Sequence, residues 1–293
     1  MGVKQKIHGI DKDAGGQVLA VQGGQPGAAI KKPFDWPKWS MRAYLIFIFG
    51  LLILPAIVVI ASSWGTTKFL TFPPVGFTLD WYVKFFSKNA FVSSLKLSLW
   101  LGLVSVSISL IVGTMSAIAI DRFNFPGRRM IQMLLISPLI VPQLVLSIAI
   151  LQFFAMLTIK RGFILLIIGH VVITSPYVTR SILAALSNFD RSIEEAAMNL
   201  GASPLTAFVR VTLPNISAGI LGASIFAFII SFSNLTMSIF IGGPRSTTLP
   251  IRLWSHLEYA YDPVITTIAT VILIITIGLL LILARVSSLD KLF

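Results

Sequence analysis

The chain is 293 residues long, 56% hydrophobic and only 12% charged, with a mean hydropathy of +0.89, whereas soluble domains run about 45–50% apolar and about 25% charged. Its 23 basic and 11 acidic residues fall mostly between long apolar runs; they cannot clothe a soluble core of this size, so water is not the main solvent and the charges mark loops. The basic excess lacks the aromatic-interleaved clusters of a nucleic-acid binder and fits Lys and Arg held in loops on the cytoplasmic side of a bilayer, and the lack of cysteine excludes disulfides and thiolate metal sites.

From the N-terminus, the first 40 residues hold no apolar stretch of the kind a cleavable secretory signal needs. Gly15, Gly16, Gly23, Gly24, Pro26 and Gly27 make residues 1–40 read as a flexible cytoplasmic tail. Phe34, Trp36 and Trp39 are expected at the headgroups where it meets the first span. Residues 41–293 then form one membrane domain.

A helix crossing the hydrocarbon core needs roughly 20 apolar residues, and six stretches qualify: Tyr44 to Trp64, Val92 to Ile120, Met130 to Leu157, Gly162 to Leu186, Ile216 to Gly242, and Val264 to Ala284. With both termini in the cytoplasm, the inner segments carry 14 Lys and Arg and the outer ones 7. That bias supports the orientation, although Lys160 and Arg161 in a short outer turn run against it. Pro55, Pro138, Pro142 and Pro176 are expected to interrupt the first, third and fourth spans, either as packing kinks or where the backbone faces protein or a pathway.

Few polar groups lie inside the spans. Lys96 is expected to snorkel outward and Arg180 to meet phosphate headgroups. His170 reads as hydrogen-bonded between helices, with a pathway role as the other reading. Ser231, Ser233, Asn234 and Thr236 form a polar patch among Phe226, Phe228 and Phe232; it serves either interhelical packing or the lining of a solute pathway.

Between the fourth and fifth spans, residues 187–215 read as two short helices. Ser192 and Glu195 have capping-box spacing. Ile193, Ala196, Ala197 and Leu200 share one helical face, and Gly201 suits the left-handed position that ends the helix. Ser203 and Pro204 start a second helix, with Leu205, Phe208, Val209 and Thr212 as its apolar stripe and Pro214 as its stop. Such a face needs cover, and the bilayer, the chain's own helices and a partner subunit compete for it. Asp190, Glu194 and Glu195 against Arg191 alone disfavour the lipid surface.

Glu195-Ala196-Ala197, then three residues, Gly201, nine residues and Val211-Thr212-Leu213-Pro214 resembles the EAA loop of binding-protein-dependent importer permeases. Only Val211 departs, standing where the family pattern has isoleucine. The resemblance extends from about Pro74 to Ala284 and looks closest to the second permease of spermidine/putrescine-type systems. It is carried by Leu79-Asp80-Trp81-Tyr82, the run from Asp121 to Arg128, Pro138 with Pro142, Pro176-Tyr177-Val178, Asn188-Phe189-Asp190 and Thr248-Leu249-Pro250.

The resemblance implies an all-α integral membrane protein with six transmembrane helices, the type I ABC importer permease fold, in the bacterial cytoplasmic membrane. It implies a homologous second permease, two ATP-binding-cassette ATPase subunits and an extracytoplasmic solute-binding protein as partners. Glu195, Ala196, Ala197, Gly201, Leu213 and Pro214 would then couple to the ATPase, with Glu195 either pairing with a basic group there or capping its own helix. No Gly-Lys dipeptide occurs, so no Walker A loop exists and ATP belongs to the partners. Ser231, Ser233, Asn234, Thr236 and His170 are the pathway candidates. No enzyme activity, resident cofactor or metal site is expected, since His8, His170 and His256 lie far apart in sequence. The alternative is a stand-alone secondary transporter or facilitator, disfavoured by spans without internal Asp or Glu. An acidic residue common in polyamine-type relatives near Ser233 and Asn234 is absent here, so the cargo stays open.

Overall fold

The computed structural model describes residues 38–260 and 262–289. The chain divides into two compact units, Met1–Phe49 and Gly50–Phe293. Among the described residues every regular element is a helix: α1 (Lys38–Ser62), α2 (Asp80–Ser87), α3 (Asn89–Arg122), α4 (Arg128–Ile136), α5 (Gln143–Met156), α6 (Phe163–Ser187), α7 (Arg191–Asn199), α8 (Pro204–Asn215), α9 (Ser217–Phe232), α10 (Thr236–Ile241), α11 (Leu249–Tyr259) and α12 (Val264–Leu289). Four of them, α1, α3, α6 and α12, are long and apolar enough to cross a membrane. Two bent pairs, α4 with α5 and α8 with α9, bring the number to as many as six when each pair is counted once as a span. The expected tail lies outside the described residues except for its last three, which already belong to α1.

The prolines act unequally, which corrects the expectation that each interrupts its span. α1 runs through Pro55 and α6 through Pro176 as single helices, because one missing donor can be absorbed within a long helix. Pro138 and Pro142 lie four apart and remove donors from successive turns. There the chain forms a short 3-10 turn, Ser137–Leu139, and bends by 107° before α5. The fifth span also departs from one continuous helix. It stops at Phe232, opens through Ser233 to Leu235 and resumes as α10. Of the three segments read as outer connections, the two longer ones, 65–91 and 243–263, hold a helix, α2 and α11.

α3 is the axis of the second unit. Ser94, Ser98, Gly102, Ser105, Ser109, Gly113 and Ala117 are buried along one side of it, a stripe of small residues at three- and four-residue spacing that lets α6 and α9 approach closely. A Cβ on Gly113 would stand 2.7 Å from Val178 Cγ1, and one on Gly102 2.8 Å from Phe228 Cε2. Three apolar clusters follow along this axis. One, at the α7 end, gathers Val106, Ala117, Val178, Ile182, Leu186, Ile216, Ala223 and Ala227. A middle one holds Leu101, Leu165, Leu166, Ile173, Met237 and Ile241. The third, at the α11 end, packs Phe85, Phe91, Phe232, Leu249, Val264 and Ile268.

Elsewhere the surface is apolar: Trp100, Leu103, Ile111 and Met115 on α3 and Leu144, Val145 and Phe153 on α5 are all more than half exposed. That is the pattern of helices meant for lipid or for another subunit rather than for water.

Candidate functional site

The α7–α8 segment is a paired-helix projection whose start is capped differently from the sequence expectation. Asp190, not Ser192, is the N-cap of α7, its Oδ1 accepting from Ser192 N at 3.0 Å. That bond holds the Asp190 carboxyl below its ordinary range. With the helix starting at Arg191, Ser192 already lies inside the first turn and the Ser192–Glu195 capping box does not form.

α7 ends as expected at Gly201, whose φ is +94°. Gly201 N donates to Met198 O at 2.9 Å and Ala202 N to Ala197 O at 3.1 Å, the paired bonds of a Schellman motif. No atom lies within 4 Å of where a Gly201 Cβ would be, so backbone conformation, not crowding, calls for glycine. Ser203 caps α8 by accepting from Thr206 N at 3.3 Å, and the middle of α8, Phe208–Thr212, is wound as a π-helix.

One side of this projection is bolted down and the other is bare. Glu194 is 4% exposed. Its carboxylate accepts from Arg122 Nη1 at 2.5 Å, Arg122 Nη2 at 2.6 Å and Thr212 Oγ1 at 2.8 Å. Arg122 also stacks over Phe208 at 5.6 Å, and Arg191 Nη2 reaches Asp121 Oδ2 at 2.5 Å. The Arg122 hydrogen bonds hold the Glu194 carboxyl below its ordinary range against the opposing effect of burial. On the bare side, Ile193, Leu200, Leu205 and Val209 are exposed, Leu200 to 90%. Glu195 and Ala196 are exposed and Ala197 half-buried. Glu195 does not cap its own helix. A shallow recess of about 200 Å³ is lined by Arg122, Arg191, Glu194, Glu195 and Met198. Leu213 is half-buried and Pro214 exposed, at the bend of 67° between α8 and α9.

Within the spans, the two helix breaks face each other across a cavity of about 550 Å³, lined by Pro138, Leu139, Val141, Gln143, Ile173, Tyr177, Ile230, Ser233, Asn234, Leu235 and Thr236. Three pathway candidates, Ser233, Asn234 and Thr236, therefore come together on one wall. Asn234 Oδ1 accepts from Met237 N at 2.8 Å and so starts α10.

The other two candidates stand behind that wall. His170 is fully buried, with Nδ1 2.8 Å from Ser231 Oγ and Nε2 3.2 Å from Ser238 Oγ. Its ring spans the break in the fifth span rather than facing the cavity. Gln143 and Tyr177 complete the polar lining. Gln143 had a local signal, its position immediately after Pro142 at the break before α5, whereas Tyr177 lies within the unbroken α6 and is brought to the cavity by packing. Every residue lining the cavity is uncharged. Among the described residues no three His, Asp or Glu side chains gather where they could hold a metal ion. Lys96 and Arg180 are exposed.

Residues 109–288 match the family described as binding-protein-dependent transport system inner membrane component. The putrescine transport system permease protein PotI of Escherichia coli (strain K12) is 32% identical over 236 residues, covering 78% of this chain and 84% of PotI. The spermidine/putrescine transport system permease protein PotC of Haemophilus influenzae is 27% identical over 239 residues, 81% of this chain and 92% of PotC. Among solved structures, a chain of a bacterial ABC transporter that imports the acidic polysaccharide alginate superposes with a TM-score of 0.66 at 17% identity, covering 86% of this chain and 96% of that one.

Proposed function

The chain belongs to the family of binding-protein-dependent transport system inner membrane components, and from that premise we propose that it is a transmembrane permease subunit of an ATP-binding-cassette importer. It works with two ATPase subunits, a homologous second permease and an extracytoplasmic solute-binding protein, and both its termini face the cytoplasm. The observation that carries this reading is the α7–α8 projection, rigidly capped, fastened on one side by Glu194 and bare on the other at Ala196, Gly201 and Leu200. An apolar face presented beyond the membrane span on a fixed base is built to be buried by another protein, here the ATPase.

Glu195, without an intrachain cap to make, is free to meet a basic group on that partner. Alanines at 196 and 197 allow close helix approach, and the Gly201 turn sets the angle between the two helices. Leu213 and Pro214 mark where the projection joins the fifth span. ATP is bound and hydrolysed by the partner, whose closure moves the projection and switches the helix bundle between inward- and outward-facing arrangements.

The solute is small and organic, polyamine-like or related, and passes through the cavity between the two broken helices. Gln143, Tyr177, Asn234 and Thr236 offer neutral hydrogen-bonding groups there, and the Tyr177 ring offers a face to a cation. Broken helices around a midplane cavity are a recurring way of exposing backbone groups to a solute without exposing them to lipid.

Gly201→Trp tests the coupling assignment. It should leave membrane insertion intact while the ATPase no longer co-purifies and uptake is lost; normal uptake by the variant counts against it. Uptake of radiolabelled putrescine and spermidine by cells lacking this chain tests the cargo, and unchanged uptake of both removes polyamines from the proposal.

A further inference from the structure

We infer that α3 is a transmission rod: Arg122 fastens its end to the α7–α8 lever, its middle is tied to the wall of the cavity, and its other end is tied to α11 across the membrane. The inference rests on the coupling reading of that lever. Arg122 is a positioning residue, since it touches neither solute nor nucleotide.

At the lever end, Glu194 of α7 and Thr212 of α8 converge on the same Arg122 guanidinium, with contacts of 2.5 and 2.6 Å from Glu194 and 3.3 Å from Thr212. Arg191 adds a second clasp on the neighbouring Asp121, bonding both its carboxylate and its backbone oxygen. Both helices of the lever are thus joined to the last turn of α3. Pulling the lever away would strand a buried carboxylate. Among the described residues no hydrogen bond or ion pair joins α4 or α5 to the lever, so beside the chain's own links into α6 and α9 the polar clasp on α3 is a third attachment through which its motion is delivered.

In the middle of the rod, Ser109 Oγ lies 2.7 Å from Thr174 Oγ1, and Thr174 Oγ1 donates to His170 O at 2.6 Å. The His170 ring then grips Ser231 and Ser238, one on each side of the opening in the fifth span. Gly113 and Gly102 leave no room for α3 to slide independently of Val178 and Phe228. A displacement of α3 therefore reaches the Ser233–Thr236 wall of the cavity.

At the far end, Leu249 N of α11 donates to the buried Ser98 Oγ at 2.7 Å, and Arg252 Nε reaches Ser94 Oγ at 3.3 Å. Beyond α11, Asp262 accepts from Lys84 Nζ at 2.6 Å and pairs with His256 Nε2 at 2.8 Å, which joins α2 to the same platform. Twenty-four residues separate Ser98 from Arg122, about 36 Å of α-helix and more than the roughly 30 Å of a hydrocarbon core. The two ends of the rod stand on opposite faces of the bilayer.

The test uses the transporter purified in lipid nanodiscs with its ATPase subunits, through a tag on this chain. The chain has no cysteine, so Tyr259→Cys, at an 81% exposed position closing α11, gives this chain a single thiol, on the far face, whose labelling is read on the band of this chain. Its labelling rate by a charged maleimide should differ about tenfold between the nucleotide-free and the ATP–vanadate states. Glu194→Gln should shrink that difference below about twofold while the ATPase still co-purifies and hydrolyses ATP. Exchanging the pair, Arg122→Glu with Glu194→Arg, should restore it. Ser98→Ala, a milder change at the other end, should blunt it as well. A full difference in Glu194→Gln or Ser98→Ala overturns the rod, as does the absence of any difference in the otherwise unaltered chain. Failure of the ATPase to co-purify with that unaltered chain would instead sink the coupling reading.

Discussion

The α7–α8 lever and the cavity are built on opposite plans. The lever is assembled from neighbours in sequence, Asp190 to Asn215, and what it lacks is cover, since Leu200 and Leu205 are 90% and 73% exposed. The cavity draws on Pro138 to Gln143, Ile173 and Tyr177, and Ile230 to Thr236, three segments that meet only when the α4–α5 bend, α6 and the α9–α10 break pack together. The lever is short-range structure waiting for a partner, and the cavity is long-range structure made by the chain's own core. The lever is tied into the long-range core at the Arg122–Glu194 pair, where a local helix is joined to a distant span.

Breaking that junction should have the largest effect. Glu194→Ala leaves Arg122 half-desolvated without its carboxylate and is expected to cost about 3–5 kcal/mol, read as a lowered thermal midpoint in detergent. A loss below about 1 kcal/mol would place the pair among ordinary surface bridges and detach the lever from the core. The contribution depends on pH with a definite sign. Glu194 titrates below its ordinary value of 4.5 in the folded chain. The stabilisation is therefore fully present above that value and lost as pH falls through the depressed one. Glu194→Gln should remove this acid-side dependence.

Gly113→Ala comes next, since a Cβ there meets Val178 at 2.7 Å and the Thr179 amide at 3.2 Å. It should cost about 1–3 kcal/mol through overpacking and close or distort the cavity, visible as lost uptake. Gly201→Ala sharpens the contrast, because its site is sterically open. Only the positive φ is strained, for about 1–2 kcal/mol, so the fold should survive while ATPase capture weakens. The smallest effect belongs to Asn234→Ala, which removes the side-chain bond to the Met237 amide at the start of α10 for about 1 kcal/mol and should lower uptake more than stability.

Local signals carried much of the architecture. The spans appear where apolar runs exceed membrane thickness, and the Gly201 turn and the Ser203–Pro204 start of α8 follow from residues that suit those backbone positions alone. The misreadings have physical causes. Ser192 was outcompeted because Asp190 offers a carboxylate two residues earlier. Pro55 and Pro176 resemble Pro138 and Pro142 in composition, but only the spaced pair removes donors from successive turns. The interhelical hydrogen bond expected of His170 does form, but its partners Ser231 and Ser238 lie far along the chain and leave no local trace.

The sequence by itself determined that this chain lives in a membrane, that its spans number about six, and that a capped helix pair projects between the fourth and fifth. Length, hydropathy and capping are properties of neighbours, so they are legible without a fold. Tertiary structure alone decided which carboxylate is buried, Glu194 rather than Glu195, which polar residues face the cavity, and that Arg122 joins lever to span. Those outcomes depend on the direction in which side chains point once α3, α6 and α9 are packed, and direction is fixed only when distant segments exclude each other's alternatives.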